Sequence, residues 1–278
     1  MKILSIDVGI KNLAFCIIET RPDLTYKILK WDVINLCGQE PTCGFTTKKG
    51  ICGHKAKYHK NNSFYCRIHS KKSEFLVPTS ELAKVKLKRT KISTLIEITD
   101  KHNIIIDKSL TKPQIMEGIT KYMDQHMLDQ VTTQSANDMS LVTIGIAIKK
   151  QLNEYICTED IDHVIIENQI SPIANRMKSI QGMLMQYFIM KDITNITFVS
   201  SANKLKQFIG NKKTSYAERK KIGIDVTIDI LATSVFNTDW IPIVSTHKKK
   251  DDLADSFLQG LWFLNNKKLI EIKYNIAL

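Results

Sequence analysis

The stretch Ser5-Ile6-Asp7-Val8-Gly9-Ile10-Lys11-Asn12-Leu13-Ala14 predicts a β-hairpin at the start of the fold. An apolar run ends in the carboxylate of Asp7, Gly9 permits a tight turn, and a second apolar run follows. A lone aspartate in a strand is costly to bury unless a cation or hydrogen bonds meet it. Asp7 therefore either bonds the amides of its own turn or joins other carboxylates, for which the chain offers Glu167, Asp252 and Asp255.

Length and charge narrow the class of protein. A chain of 278 residues with 43% hydrophobic residues has room for one large domain, or for one domain with insertions. Its 40 basic against 28 acidic residues give a net charge of +12, which favours a polyanionic partner, nucleic acid before membrane. The alternative is a lysine-rich composition set by codon usage alone.

The start of the chain and its cysteines indicate a compartment. Met1-Lys2-Ile3 runs straight into the first strand, which leaves no room for a secretory or organelle presequence and predicts a cytoplasmic protein, in the host cell if the chain is viral. Six cysteines, several of them clustered with histidines, fit a reducing compartment and a metal site better than disulfides.

After a third strand, Tyr26 to Leu36, the composition turns polar over residues 37–70. Such a segment cannot fold by burying apolar surface, but a tetrahedral zinc ion holds small modules of this kind together. The predicted ligands are Cys43, Cys52, Cys66 and His69, with Cys37 and His54 as alternates and His59 as a weaker one. Cys16 and Cys157 look like ordinary buried cysteines.

Residues 71–130 predict a basic helical insertion. A helix over 92–102, an extended piece over 104–106 and a helix from Lys112 or Pro113 to Met123 are preceded by a cluster of lysines. This order resembles the helix-extended-helix modules called SAP domains, which bind DNA. The alternative is a helical spacer whose charges are solvated.

From about residue 131 helices and strands alternate. The apolar pattern predicts helices over 138–157, 173–190 and 202–208, strands over 163–167 and 196–199, a basic loop at 210–213, a helix through Ala232 and a last helix over 250–264. The wide apolar face of helix 173–190 is a candidate subunit interface or simply a buried face. With the three strands of residues 1–36, this order predicts an α+β (α/β) fold, a mixed sheet flanked by helices, interrupted by the two insertions.

Three motifs in this order carry a specific resemblance. The opening decapeptide, Ile165-Ile166-Glu167-Asn168-Gln169, and Lys249-Lys250-Asp251-Asp252-Leu253-Ala254-Asp255-Ser256 resemble those of the Holliday junction resolvases of poxviruses and fungal mitochondria. These belong to the RuvC-like superfamily, with a ribonuclease H-like fold. The resemblance covers roughly residues 1–36 and 135–265. It implies that Asp7, Glu167, Asp252 and Asp255 match the family's four catalytic carboxylates.

The chemistry of phosphodiester hydrolysis fits four carboxylates. Two hard cations, Mg²⁺ or Mn²⁺, activate a water and stabilise the leaving oxyanion, and they need acids converging from several elements. We expect Asp7 to bridge the two ions, Glu167 and Asp255 to bind one each, and Asp252 to hold or orient the ion that carries the water. Asp252 and Asp255 stand three apart on a helix and share a face, whereas Asp251 points away as a solvated cap.

A four-way junction is two-fold symmetric, so a homodimer with two sites is the expected assembly. The lysines expected to hold the DNA backbone are Lys11, Lys204, Lys206, Lys212, Lys213, Lys249 and Lys250.

Three other functions are alternatives to junction resolution. A sugar-kinase or actin-like ATPase lacks support, because the later glycine-rich elements of that class are missing. A non-catalytic junction binder does not explain four retained acids, and a ribonuclease H-fold nuclease cutting flaps or RNA–DNA hybrids is the runner-up.

Overall fold

The structure is a computed structural model, and it describes residues 1–38, 40–82, 84–132, 138–156, 160–169, 175–209 and 214–274. Two compact units make up the chain, one formed by residues 1–38 with 134–278 and the other by residues 39–133. No helix in these described ranges has the length and apolar character needed to cross a membrane.

The elements are numbered in chain order. The strands are β1 Lys2–Asp7, β2 Asn12–Thr20, β3 Tyr26–Asn35, β4 Thr46–Thr47, β5 Gly50–Ile51, β6 Tyr58–Lys60, β7 Ser63–Tyr65, β8 Asp129–Gln130, β9 His163–Asn168 and β10 Ile196–Ser200. The α-helices are α1 Lys84–Arg89, α2 Ile92–Lys101, α3 Lys112–His126, α4 Leu141–Tyr155, α5 Asn175–Ile189, α6 Lys206–Ile209, α7 Tyr216–Thr233, α8 Trp240–Thr246 and α9 Lys250–Asn266. Short 3₁₀ turns lie at His69–Lys72, Ser80–Leu82 and Ser201–Asn203.

The first unit is built on a five-stranded sheet in the order β10-β9-β1-β2-β3. β1, β2 and β3 are antiparallel neighbours, whereas β9 and β10 run parallel to β1. The turn between β1 and β2 requires glycine for lack of space, since a Cβ on Gly9 would lie 2.3 Å from the carbonyl oxygen of Asn12. The sheet is therefore mixed, as the sequence predicts.

Both faces of this sheet are covered because its central strands are apolar on both sides. In β1, Leu4 and Ile6 enter a core formed with α4 and α5, while Ile3 enters the opposite core formed with α7, α8 and α9. This alternation is the period of two expected of a strand, and a sheet buried on both faces needs such continuous apolar runs.

Helix α9 is held tightly against β1. The side-chain amide of Gln259 donates to the carbonyl of Ile6 at 3.0 Å, and the indole N–H of Trp31 donates to the carbonyl of Leu253 at 3.0 Å. The helix can approach β1 this closely because residue 260 is a glycine. A Cβ at this position would lie only 3.1 Å from the Cβ of Ser5. These contacts fix the rotation of α9 and therefore the direction of the acids in its first turns.

One predicted helix is divided in the structure, and one helix of the structure was not predicted. The helix predicted over 202–208 is divided into the turn Ser201–Asn203 and α6, with Lys204 between them. Helix α8, which contains Pro242, was not predicted from the sequence. Proline is tolerated there because the first-turn N–H groups of a helix have no intrahelical partner.

The second unit holds the cysteine-rich hairpins and the helices together. The hairpin β6–β7 turns on Asn61 and Asn62, both with positive φ (46° and 64°), as expected of asparagines in tight two-residue turns. A capping box between Thr111 and Gln114 begins α3. Strand β8, which follows α3, pairs with β6, so the segments 37–70 and 71–130, treated separately in the sequence analysis, meet in one unit from residue 39 onwards.

Candidate functional site

The carboxylates of the opening hairpin and of β9 lie at the same edge of the sheet. Ile6 is paired with Ile166 in the parallel register of β1 and β9, so Asp7 and Glu167 follow side by side. Helix α9 crosses this edge and directs Asp252 and Asp255 to the same place. The four acids line one groove, together with the β1–β2 turn.

A buried lysine lies among three of these acids. The ammonium of Lys204 is 2.7 Å from Asp7 Oδ1, 3.0 Å from Glu167 Oε1 and 3.5 Å from Asp255 Oδ2. Lys204 is only 4% exposed. The sequence predicts this lysine as a contact to the DNA arms, but in the structure its ammonium is buried among three carboxylates instead.

The charges in this cluster are strongly perturbed. Burial, reinforced by the charge of Asp7 and opposed by that of Lys204, raises the pKa of Glu167 to about 7. Burial likewise raises the pKa of Asp255 to about 6. Burial alone would lower the pKa of Lys204, but the charges of Asp7, Asp255 and Glu167 outweigh it and raise that pKa above its ordinary value. The cluster therefore carries excess negative charge that a further cation would relieve.

Asp252 lines the same groove without an ion pair to Lys204 in the described part of the chain. Its carboxylate is 3.5 Å from the ammonium of Lys249, and burial raises its pKa. Asp251 is not the solvated cap that helix geometry predicts, because it forms an ion pair with Lys220 of α7. Helix α7 thus brings Lys220, Arg219 and Tyr216 to the groove, and no motif in the sequence pointed to these three residues.

The other lysines predicted to contact DNA lie in different surroundings. Lys11 and Lys249 line the groove, and Lys206 is exposed on α6. Lys250 donates to the carbonyl of Ser245 at 3.1 Å. Lys212 and Lys213 lie outside the described residues.

The donor set suits a hard divalent cation. Three carboxylates already converge on one positively charged atom, so their oxygens surround a point where positive charge is stabilised. Oxygen ligands from aspartate and glutamate are those that Mg²⁺ and Mn²⁺ prefer. The residues present therefore fit such an ion, and Asp252 adds a fourth carboxylate to the lining of the groove.

The second unit contains a second cluster of ligand atoms. Cys43, Cys52, Cys66 and His69 place one ligand atom each within 4.8 Å of one another. The Sγ atoms of Cys43 and Cys66 each lie 3.5 Å from His69 Nδ1, and those of Cys52 and Cys66 lie 4.0 Å apart. Tetrahedral zinc bonds imply separations of roughly 3.6 Å for S···N and roughly 3.8 Å for S···S. The cluster has the dimensions of a zinc site.

The surroundings of this cluster support the same four ligands. Burial tends to raise the pKa of Cys66, but the backbone N–H groups of His69 and Ile68 and the neighbouring thiols hold it below its ordinary value, which favours the metal-binding thiolate. The ring of Phe45 stacks on that of His69 with centroids 4.3 Å apart, which orients the imidazole.

The alternate ligands lie outside the group of four. Cys37 belongs to the first unit and packs against its core. His54 is exposed, although its Nδ1 is 3.2 Å from Cys52 Sγ, and His59 contacts Phe64 instead. Cys16 is a core residue, as the sequence predicts, and Cys157 lies outside the described residues.

Two protein-family models match the chain. The model described as mitochondrial resolvase Ydc2 / RNA splicing MRS1 matches residues 3–171, and the model described as Poxvirus A22 protein matches residues 134–267.

Individual proteins are similar at lower identity. An uncharacterised protein of Acanthamoeba polyphaga mimivirus is 26% identical over 95% of this chain and 74% of its own length. Among solved structures, the fowlpox virus resolvase in complex with Holliday junction DNA is 17% identical with a TM-score of 0.44, over 96% of this chain and 99% of that one. The yeast mitochondrial Holliday junction resolvase is 13% identical with a TM-score of 0.45, over 96% and 80%.

Proposed function

This chain belongs to the mitochondrial resolvase Ydc2 / RNA splicing MRS1 family, and from that premise we propose that it is a metal-dependent endonuclease that resolves four-way (Holliday) DNA junctions. The observation that carries the proposal is the convergence of Asp7, Glu167, Asp252 and Asp255 on one groove, with three of them around a single buried ammonium. A structural role does not require four acids at one edge of a sheet, whereas cation binding does.

The acidic and the basic side chains of the groove have different roles. Asp7, Glu167 and Asp255 would hold two Mg²⁺ or Mn²⁺ ions, and Asp252 would hold or orient the ion that carries the water. Such ions, when bound, supply a nucleophilic water and stabilise the leaving oxyanion. Lys204 neutralises part of the acid charge in their absence. Lys11, Arg219 and Lys249 line the groove and attract the DNA backbone to it.

Digestion of branched DNA tests this function. The protein is incubated with Mg²⁺ or Mn²⁺ and, in parallel, with a synthetic four-way junction, a flap and an RNA–DNA hybrid. We expect paired, symmetric nicks across the junction point and little cutting of the other two. Preferential cutting of the flap or the hybrid would assign the site to another nuclease of this fold, and binding without cutting would leave a non-catalytic junction binder.

Metal affinity should depend strongly on pH. A cation binds the ionised carboxylates, and the raised pKa values of Glu167 (about 7) and Asp255 (about 6) mean that both are largely ionised only at pH 8. Protons compete with the cation as the pH falls, so Mn²⁺ binding measured by calorimetry is expected to be at least ~10-fold weaker at pH 6 than at pH 8. An Asp251→Asn control should keep this dependence. Equal affinities at the two pH values would contradict the assigned ligands.

For the second unit we propose a structural Zn²⁺ on Cys43, Cys52, Cys66 and His69. Small modules of this kind lose their fold without the ion. We expect close to one zinc per chain and, for Cys66→Ser, less than half an ion together with rapid proteolysis inside residues 40–72. Cys37→Ser is the matched control and should keep the zinc. A wild-type protein that carries no zinc would refute the site.

We also propose a homodimer, because a two-fold symmetric junction needs two paired cuts. The apolar stripe of α5, Ile180, Leu184 and Phe188, packs into the core of its own unit. Exposed apolar residues lie at the end of α5, where Ile189 is 40% and Met190 is 75% exposed, and on the neighbouring α4, where Val142 is 72% and Ile146 is 65% exposed. Light scattering should give twice the chain mass of 31.8 kDa, and Val142→Glu with Ile146→Glu should give the monomer. A monomeric wild type would remove this part of the proposal.

The site of action that we propose is a reducing compartment, the cytoplasm of a host cell if the chain is viral. The support is the cysteine chemistry, since the described cysteines are free and three of them converge on one ligand cluster.

A further inference from the structure

We infer that residues 40–72, here called the zinc lobe, form a second DNA-binding surface, which holds the phosphate backbone of a junction arm through cations positioned by the zinc ion. This inference rests on the proposed function, which supplies the DNA junction as the partner. The residues of the zinc lobe are different from those that line the acidic groove.

The zinc lobe carries more than half of the net positive charge of the chain. Its 33 residues contain eight lysines and arginines and a single acid, Glu40, so they account for +7 of the total of +12. Residues 73–132, which cover most of the segment 71–130 predicted to be basic and helical, contain nine basic and eight acidic residues and are almost neutral. The charge that suggests a nucleic-acid partner is therefore concentrated next to the cysteine cluster.

Two of the eight cations are engaged inside the second unit. Lys60 is buried and donates to the carbonyl of Asp124 at 2.7 Å, and Lys55 pairs with Glu40 at 2.6 Å. The other six are exposed, and none forms an ion pair with a carboxylate in the part of the chain that the structure describes. They are Lys48, Lys49, Lys57, Arg67, Lys71 and Lys72.

The zinc ligands hold five of these six cations in place. Cys43 and Cys52 flank the β4–β5 hairpin, whose turn consists of Lys48 and Lys49. Arg67 lies between the ligands Cys66 and His69, and the 3₁₀ turn that begins at His69 carries Lys71 and Lys72.

A stack of side chains connects these two groups of cations. Phe45, at the base of the hairpin, stacks on His69, and the ammonium of Lys72 lies 6.0 Å from the centre of the Phe45 ring. A zinc ion on the four ligands would therefore hold the two charged segments in one surface. Because the lobe has little apolar core of its own, loss of the ion would leave these cations without a fixed arrangement.

DNA backbone is the partner that this chemistry favours. Unpaired cations repel one another in the free protein, and a row of phosphates relieves that repulsion with release of counterions. A membrane surface is a weaker match, because insertion needs a contiguous apolar face, whereas the exposed apolar side chains Ile51 and Ile68 stand singly among polar residues.

The test measures binding of the full-length, zinc-loaded protein to a four-way junction in EDTA-free buffer without divalent ions, over a range of salt concentrations. The lobe variant replaces Lys48, Lys49, Arg67, Lys71 and Lys72 by glutamine. The control variant removes the same charge from the helical segment, by replacing Lys86, Lys88, Arg89, Lys91 and Lys121, all of them exposed.

We expect the lobe variant to bind at least ~10-fold more weakly and the slope of log Kd against log salt to fall by about 3–4, since each phosphate contact contributes about 0.9. The control should change the slope by less than about 1. Unchanged binding of the lobe variant, or an equal loss in both variants, would overturn the inference.

Zinc content is measured for each variant so that misfolding is not taken for lost contacts. If the five-fold variant loses its zinc, the double variant Lys48→Gln with Lys49→Gln is measured instead, because these two residues are exposed in the turn of the hairpin. The slope of log Kd against log salt is then expected to fall by about 1–2. Cleavage at saturating protein separates the two proposals. A wild type that binds through the lobe but never cuts would refute the nuclease and leave the lobe intact.

Discussion

Asp7→Asn is expected to abolish junction cleavage, with a rate at least ~10³-fold below that of the wild type, while the protein stays folded and still binds the junction. Asp7 is adjacent to Glu167 in the sheet and contacts Lys204, so its carboxylate belongs to the centre of the acid cluster. Asparagine keeps the size but not the charge. A cation held by the remaining acids would lose a ligand, and transition-state stabilisation by metal ions amounts to several kcal/mol.

The measurement is a single-turnover cleavage rate, accompanied by a binding curve and a thermal melt. Asp251→Asn is the matched control, one residue before Asp252 on the same helix, and we expect it to lose less than about tenfold because Asp251 pairs with Lys220 rather than with the cluster. Normal cutting by Asp7→Asn would show that the catalytic centre lies elsewhere.

Lys204→Met is expected to destabilise the metal-free protein by about 3–5 kcal/mol at pH 8, because it leaves the largely buried carboxylates of Asp7 and Glu167, and the partly exposed one of Asp255, without their counter-charge. The loss should shrink at pH 5. Glu167 and Asp255, whose pKa values are already raised in the wild type, take up protons there and need no partner. Saturating Mg²⁺ should restore much of the stability at pH 8, since the cation takes over the role of the ammonium.

Urea unfolding in EDTA and in Mg²⁺, at both pH values, gives these free energies. Lys206→Met changes an exposed lysine two residues away and should alter stability by no more than ~0.5 kcal/mol. If Lys204→Met were as stable as the wild type in EDTA at pH 8, the enclosed ion cluster would not exist in solution.

Local patterns in the sequence were sufficient for much of the fold and for the convergence of the acids. Apolar runs that end in Asp7 and Glu167 mark two strands, and the three-residue spacing of Asp252 and Asp255 places both on one face of a helix. The ligand set Cys43, Cys52, Cys66 and His69 also follows from local spacing, because a polar segment without a core needs an ion. In each case the physical cause lies within a few residues of the motif.

Contacts between distant segments were not predictable in this way. Lys204 follows β10, and nothing in its neighbourhood distinguishes it from a surface lysine. Its role appears only when β1, β9 and α9 are brought around it. The ion pair of Asp251 depends in the same way on the position of α7. Periodicity reports which face of an element is buried, but not which side chain of another element will meet it.

The attachment of α9 to β1 has a consequence for the living cell. Asp252, Asp255 and the Gln259 amide that anchors their helix follow Asp7 by about 250 residues, so they leave the ribosome long after it. With the four acids that we propose as the catalytic centre, a polypeptide that ends before α9 lacks two of them, and we expect it not to nick nucleic acid. An enzyme of this design would stay inactive until helix α9 has been synthesised.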